Sequence, residues 1–380
     1  MSDYKRLSLS DIDIRKPLSW DVMDSFGHLL LSKGYVIDNL ATARELIERG
    51  MYIEVAAGHY ETSFQFIFEP EPPSVLRSIN MAVTRLAALF RDINKFPDAR
   101  KEILDIVKLV RFAIHLNEDV ALACIQLNQE SGNYAVRHCV DTAILAITVA
   151  QTMHNKSDQE IQDIAAAALT MNISMWDIQE KLQEKKEALS DAELSTIRNY
   201  PISSIRILHD AGIEDAEWLE YVLLHHEHED GTGYPIGKVK GKFPYNAKIL
   251  MLADGFCARI ASRGDRGPAL PSVALRDIFI ENGAYVDATL GAYFIKVLGL
   301  YPPGTFVKLK NSEVAIITQR GSDNGTCTAH SLVNANGELY SAPLKRDTST
   351  DPFTITKAIH PSEASVHVNL QQIWGSLANL

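Results

Sequence analysis

The segment richest in chemically capable side chains runs from His225 to Pro235 and reads His-His-Glu-His-Glu-Asp-Gly-Thr-Gly-Tyr-Pro. It follows an apolar stretch, Trp218 to Leu224, that predicts a helix. Two adjacent histidines at the end of a helix can both reach a metal ion, because neutral imidazole is the commonest metal-binding side chain. The glycines and the proline predict a tight loop beside them. Taken alone, these residues leave a metal site and a solvated or helix-capping histidine cluster equally open.

The same segment resembles the signature of the HD-GYP family, in which His-His-Glu is followed, two residues later, by Asp-Gly-x-Gly-Tyr-Pro. The resemblance extends over about residues 120 to 300 and continues more weakly into Tyr301-Pro-Pro-Gly304. It implies a mainly α fold, a helical bundle of the HD-domain type. It also implies a phosphodiesterase that acts on cyclic di-GMP with several bound metal ions, often iron or manganese.

The resemblance assigns candidate metal ligands to four positions. The early family histidine matches His138, the paired histidines match His225 and His226, and the late aspartate matches Asp254. Nine residues after Asp254, where the family carries an arginine that faces phosphate, this chain has Arg263.

Other family ligands are replaced in this chain. The helix that should end in His-Asp, followed by a lysine, reads Ala-Ala-Leu-Thr-Met-Asn-Ile-Ser-Met, so Met171, Asn172 and Met175 occupy those positions. In the family the aspartate bridges two metals, whereas asparagine is neutral and offers one weak carbonyl oxygen. Iron and manganese sites use carboxylate and imidazole ligands, and activation of water needs two ions held close together. We therefore expect one weakly held iron or manganese ion, or none, and no efficient hydrolysis.

Three further positions differ. Tyr200, before Pro201, stands where the family has a histidine, and Tyr134 stands where it has an acidic residue. Cys257 stands where it has a second aspartate, and its simplest interpretation is a small buried apolar side chain. A rearranged metal site that uses Asn172 or Tyr200, and still hydrolyses cyclic di-GMP, is the alternative.

The loop after the signature offers candidate ligand-binding residues. In the family it forms one wall of the nucleotide site and a surface for partner proteins. Tyr234 presents an aromatic face with a hydroxyl group, and Lys238 and Lys240 could join Arg263 in offsetting phosphate charge. The alternative is a solvated lysine loop.

Composition limits the class of protein. The 380 residues include 37 lysines and arginines against 48 acidic residues, a net charge of −11, which disfavours a binder of nucleic acid polymers. The four cysteines form no CxxC pair and predict reduced thiols in a cytoplasmic protein. The N-terminal residues lack the apolar core of a signal peptide, and no apolar run is long enough for membrane insertion.

The positions of proline and glycine and the spacing of apolar residues predict four segments. Residues 1–68 predict an accessory module, α+β or β-rich, with strands at 20–23 and 28–31 around a turn and a helix at 38–49. Residues 69–76 predict a stiff proline-rich linker, and residues 77–300 the helical domain. Residues 301–380 predict a β unit and tail, with paired strands at 306–310 and 314–318.

Within the helical domain, apolar residues at helical spacing over 79–93 and 103–114 predict two helices. Their apolar faces either pack in the bundle core or form the seam of a homodimer. Ser190 and Glu193 predict a capping box that opens another helix.

The sequence thus supports a degenerate HD-GYP-type signalling protein, without catalysis, that binds cyclic di-GMP or a signalling protein partner. A phosphodiesterase with a partial metal site and a purely structural hub are the alternatives.

Overall fold

The computed structural model describes most of the chain. The described residues are 3–7, 12, 16–23, 29–37, 42, 52–55, 72–128, 133–179, 189–228, 230–237, 243–261, 267–281, 288–321, 326–364, 366 and 368–380. They fall into two compact units, one of residues 1–71 with residue 380 and one of residues 72–379.

The first unit contains a four-stranded antiparallel sheet with strand order β1-β4-β2-β3. Its strands are β1 (Asp3–Arg6), β2 (Val22–Met23), β3 (Leu29–Leu31) and β4 (Tyr52–Val55). The two strands predicted around a turn correspond to β2 and β3, which pair with each other. The turn residues 24–27 lie outside the described residues, as does the helix predicted at 38–49 apart from Thr42.

The second unit is a helical bundle followed by a β unit. Its longer helices are α1 (Val75–Arg91), α2 (Ala99–Leu116), α3 (Glu118–Leu127), α4 (Tyr134–Thr152), α5 (Asp158–Thr170), α6 (Asp191–Asp210), α7 (Ala216–Leu224), α8 (Tyr245–Ile260), α9 (Pro271–Glu281) and α10 (Ala288–Leu298). Short helices α11 (Pro361–Ala364) and α12 (Leu370–Trp374) close the chain.

Helix α4 is the centre of the bundle, because nearly every residue from Tyr134 to Ala150 is buried. It packs against α1, α2, α3, α5, α8 and α10. The alanine run of α5 allows a close approach to α4, since small side chains let two backbones come near each other. The predicted capping box at Ser190 and Glu193 is confirmed and opens α6.

Helices α1 and α2 pack against each other with their apolar faces in the core. Ile79, Val83 and Leu86 on α1 and Ile103 and Val110 on α2 are all buried. These faces are therefore part of the bundle core and are not a seam for a second copy of the chain. Helix α1 begins at Val75, ahead of the boundary at 77 that the sequence suggested, because the Ser74 side chain caps it by accepting a hydrogen bond from the Arg77 backbone.

The β unit is a five-stranded antiparallel sheet with strand order β8-β7-β6-β5-β9. Its strands are β5 (Phe306–Leu309), β6 (Val314–Arg320), β7 (Cys327–Val333), β8 (Leu339–Asp347) and β9 (Ile355–Ile359). The predicted pair of strands corresponds to β5 and β6. The long strand β8 has no continuous buried face, so its sequence carries no clear alternation of apolar and polar residues.

Arg320, in β6, links this sheet to helices α3 and α10 through ion pairs and a hydrogen bond. Its guanidinium donates to the carboxylates of Glu118 and Asp119 at the start of α3 and to the Val297 carbonyl oxygen in α10. Gly304 has a positive φ of 93° and lies so close to the Ala123 carbonyl oxygen that a side chain there would crowd it. No helix of the described residues is long and apolar enough to cross a membrane.

Candidate functional site

The paired histidines directly follow the last turn of α7, which ends at Leu224. His225 is fully buried, and its Nδ1 lies 2.6 Å from the carbonyl oxygen of Val222. A carbonyl oxygen can only accept, so Nδ1 carries the proton and donates. Neutral His225 therefore presents an unprotonated Nε2 towards the interior of the site. The ring of His226 lies beside it, with the two centroids 4.3 Å apart.

The hydroxyl group of Tyr200 lies between the two histidines. It is 2.6 Å from Nε2 of His225 and 2.7 Å from Nε2 of His226. Helix α6 is mostly exposed, and its buried face consists of Tyr200, Pro201, Ser204 and Leu208. This spacing turns the tyrosine inward towards the end of α7.

Asp254 on α8 and His138 on α4 form the second half of the site. Nε2 of His138 lies 2.7 Å from Oδ1 of Asp254, and both side chains are buried. The other oxygen, Oδ2, is 4.0 Å from Nδ1 of His226, which is too far for a hydrogen bond. Tyr134, where the family has an acidic residue, stacks on the His138 ring with its centroid 5.5 Å away.

Residues 171–175 form the turn that follows α5, and this turn lies against α6. The Ser204 hydroxyl donates to the Met171 carbonyl oxygen, and the Ser174 hydroxyl donates to the Tyr200 carbonyl oxygen. Met171, Asn172 and Met175 are all buried. The Asn172 backbone N–H points at the Cys139 thiol on α4, one residue after His138. The turn thus adjoins the same region of the bundle as the histidines.

The loop at 230–237 folds back over the paired histidines. The backbone N–H of Tyr234 donates to the His226 carbonyl oxygen, and the Tyr234 ring lies on the His226 ring at 4.7 Å. Gly233 contacts the backbone of His226 to His228 so closely that any Cβ atom would clash with it. The buried Glu227 carboxylate accepts the backbone N–H of Gly237 and that of the preceding residue.

Burial controls the protonation of these groups. Burial lowers the pKa of His225 and of His226, and both are neutral at ordinary pH. Burial also raises the pKa of Tyr200, with the nearby Asp254 adding to it, so the phenol keeps its proton. For Asp254, burial is the largest single influence and raises the pKa, but the hydrogen bond from His138 and the charge interactions with the three histidines together outweigh it, so the pKa lies well below its usual range.

The residues present do not fit the multi-metal centre that the resemblance implies. Asn172 is neutral where a bridging carboxylate is needed. The lone pair of His225 Nε2 already accepts a hydrogen bond from Tyr200. Among the described residues, no three histidine, cysteine, aspartate or glutamate side chains are grouped as a metal site.

The structure brings together His138, His225, His226, Asp254, Tyr200 and Tyr234 from the residues chosen on sequence. Cys257 is buried three residues after Asp254, and burial raises the pKa of its thiol. Arg263, Lys238 and Lys240 lie outside the described residues, so their assignment to a phosphate site stays a prediction.

Sequence reasoning missed two features of the site. It considered Tyr200 as a replaced ligand or as a member of a rearranged metal site, whereas the structure makes its hydroxyl the hydrogen-bond partner of both histidines. It also passed over Glu227, whose buried carboxylate holds the loop. Acidic residues are rarely buried without a partner, but only the fold showed that Glu227 is buried.

Residues 119–290 match the family model of the HD domain. The cyclic di-GMP phosphodiesterase PA4108 of Pseudomonas aeruginosa is 25% identical over 279 residues, which cover 72% of this chain and 66% of that protein. The cyclic di-GMP phosphodiesterase PdeB of Borreliella burgdorferi is 25% identical over 226 residues, which cover 60% of this chain and 59% of that protein.

Among solved structures, Bd1817, a HDG"Y"P protein from Bdellovibrio bacteriovorus, aligns with a TM-score of 0.52 at 16% identity. The alignment covers 78% of this chain and 99% of that chain. At this identity the likeness shows a shared fold. The mainly α fold class predicted from sequence is confirmed, with its small β units at both ends.

Proposed function

We propose that this chain, whose residues 119–290 match the family model of the HD domain, is a cytoplasmic signalling protein of the HD-GYP type that binds cyclic di-GMP without hydrolysing it. The observation that carries this proposal is the turn at 171–175. Where the family resemblance expects His-Asp, the chain has the buried pair Met171 and Asn172, held against α6 by Ser204.

Replacement of the His-Asp pair removes metal ligands that hydrolysis requires, but it leaves the fold of the turn in place. A thioether and a neutral amide cannot hold two divalent ions side by side, and water activation in this type of centre depends on both ions. The turn itself is intact, because its backbone and serine hydrogen bonds do not involve the two altered side chains. Under this proposal the site keeps its shape but cannot activate the water molecule that hydrolysis requires.

The features suited to nucleotide binding are kept. The Tyr234 ring lies against the His226 ring, and both residues are half-buried, so Tyr234 places an aromatic side chain at the edge of the site. Guanine can stack on the face of such a ring. Arg263, Lys238 and Lys240 are proposed to offset the phosphate charges locally, although the chain as a whole is acidic.

A second candidate is a phosphodiesterase with a rearranged metal site. The observation in its favour is that His138, His225, His226 and Asp254 are retained and lie together. Under this alternative one iron or manganese ion would be weakly held. Binding of a signalling protein partner, or of a second copy of the chain, is the other use that the loop at 230–237 would allow.

The test is a pair of measurements on the full chain. Calorimetric titration with cyclic di-GMP in the presence of EDTA should show saturable binding, with the linear dinucleotide pGpG as the matched ligand control. Incubation with cyclic di-GMP plus manganese or ferrous iron should then yield no linear product. Product formation that EDTA abolishes would establish the alternative, and absence of binding would overturn the proposal.

Variants locate the binding site. Arg263→Ala and Lys238→Ala/Lys240→Ala should each weaken the titration, because each removes a cation from the phosphates. The control is Lys310→Ala, which removes an exposed lysine paired with Asp351 in the β unit. An equal loss in the control would mean that binding follows overall charge.

A further inference from the structure

We propose that the Tyr200 hydroxyl takes the place of a metal ion between His225 and His226, so that this half of the site is closed by a directed chain of hydrogen bonds. The inference deepens the proposed function and rests on it in treating the site as one that does not hydrolyse. It concerns how the site is held together.

The donor and the acceptor of each hydrogen bond in this series follow from counting the protons on the three side chains. His225 donates through Nδ1 to the Val222 carbonyl oxygen, so its neutral ring has only a lone pair at Nε2. The contact of 2.6 Å at that nitrogen then needs the Tyr200 O–H as donor. Tyr200 has no second proton to give.

His226 must therefore carry its proton on Nε2, from which it donates to the Tyr200 oxygen at 2.7 Å. Its Nδ1 is then unprotonated. This agrees with the separation of 4.0 Å from Oδ2 of Asp254, because an unprotonated nitrogen and a carboxylate oxygen are both acceptors and cannot form a hydrogen bond with each other. Asp254 takes its hydrogen bond from His138 instead. The two adjacent histidines are thus opposite tautomers.

A metal ion held between the two histidines, where the Tyr200 hydroxyl now lies, would need both Nε2 lone pairs at once. In this chain one of them accepts from Tyr200 and the other nitrogen is a donor, so metal binding would require expulsion of a buried hydroxyl and a tautomer change in His226. Tyr200 is also held by its surroundings. Its ring meets both imidazoles edge-on at 5.6 Å, and Ser174 bonds its carbonyl oxygen.

The first test uses the unaltered full chain. Nitrogen-15 NMR of the imidazole rings, assigned with His225→Gln and His226→Gln, distinguishes Nδ1–H from Nε2–H tautomers. We expect Nδ1–H in His225 and Nε2–H in His226. If both rings have the same tautomer, the chain of hydrogen bonds is wrong.

The second test measures metal uptake. The full chain is incubated separately with manganese, ferrous iron and zinc, freed of unbound ion by gel filtration and analysed by mass spectrometry of its metals. We expect trace metal only. The variant Met171→His/Asn172→Asp/Tyr200→His should retain roughly tenfold more.

A matched control is Tyr221→Phe, which removes another tyrosine hydroxyl, one that accepts from Asn246. It should leave metal content at the level of the unaltered chain. A stoichiometric metal ion in the unaltered chain would overturn the inference. Because cyclic di-GMP binding is measured separately in EDTA, a chain that takes up metal yet binds the nucleotide would contradict only the inference, and one with the expected tautomers but no nucleotide binding would contradict only the proposed function.

Discussion

Asp254 in the helical bundle and Glu313 before β6 are both buried carboxylates, yet their surroundings differ. Glu313 accepts two hydrogen bonds from the Arg346 guanidinium and one each from Ser331 and Tyr340. Asp254 has one hydrogen bond, from His138, and its Oδ2 faces His226 without bonding it. Among the described residues, therefore, one carboxylate is fully satisfied and the other has spare acceptor capacity.

This difference separates a structural ion pair from a candidate functional site. A carboxylate with a permanent cation and a full set of donors contributes to stability only while its partners remain. A buried carboxylate whose pKa is depressed by a neighbouring imidazole, beside a partly exposed histidine, is a candidate for a functional site. Variants on each side of this distinction should behave differently.

Removal of the cation beside Glu313 should be costly. Arg346→Met leaves a buried, uncompensated carboxylate and should lower the free energy of unfolding by about 3 kcal/mol. Urea unfolding followed by circular dichroism measures the change. Lys310→Met is the control, because it breaks an exposed pair with Asp351 and should cost less than about 1 kcal/mol. Similar losses in the two variants would show that Glu313 is not the structural pair described here.

Gly233→Ala should displace the loop over the histidines. A Cβ atom there meets the backbone of His226 and Glu227, which cannot yield without moving the loop, so we expect a loss of about 2 kcal/mol in unfolding free energy. Gly267→Ala is matched to it, because that position has open space around it and no positive φ. An unchanged Gly233→Ala variant would mean that the loop is not packed on the histidine backbone.

Acid should weaken the β unit through Glu313. Burial is the largest single influence and raises the pKa of this carboxyl, but the hydrogen bonds from Arg346, Ser331 and Tyr340, with the Arg346 charge, together outweigh burial and lower the pKa to about 2. A depressed pKa gives stability that is present above the ordinary value near 4.5 and is lost as pH falls towards 2. The unfolding free energy of the unaltered chain should fall across this window more steeply than that of Glu313→Gln. Parallel curves would contradict the assignment.

Ser204→Ala should have the smallest effect. It removes the hydroxyl that bonds the Met171 carbonyl oxygen and the Ser174 hydroxyl, and it should cost about 1 kcal/mol. Ser203→Ala is the neighbouring control, because its exposed hydroxyl makes only a long contact of 3.5 Å with Asn199. In the unaltered chain the turn at 171–175 should be protected from hydrogen exchange, and only Ser204→Ala should reduce that protection.

Local patterns predicted much of the fold. Helical spacing in α1 and α2, the capping box of α6 and the strands β5 and β6 all follow from neighbouring residues. Strand β8 could not be found in this way, because the pairing with β7 that makes it a strand is a contact between distant parts of the chain. The same limit applied to the site. Residue types indicated which side chains belong to the site, but not which of them form hydrogen bonds with each other.

By itself, the sequence determined the helical class, the chemical signature at His225 to Pro235, and the neutral asparagine at position 172, where the family resemblance implies a bridging carboxylate. These features depend on residue type and short-range spacing, which can be read directly from the sequence. Only the tertiary structure decided that Tyr200 on α6 meets the two histidines after α7, and that His138 on α4 is the partner of Asp254 on α8. Hydrogen bonds act over about 3 Å, so pairs separated by 25 or 116 positions in the chain can be recognised only when packing has brought their helices together.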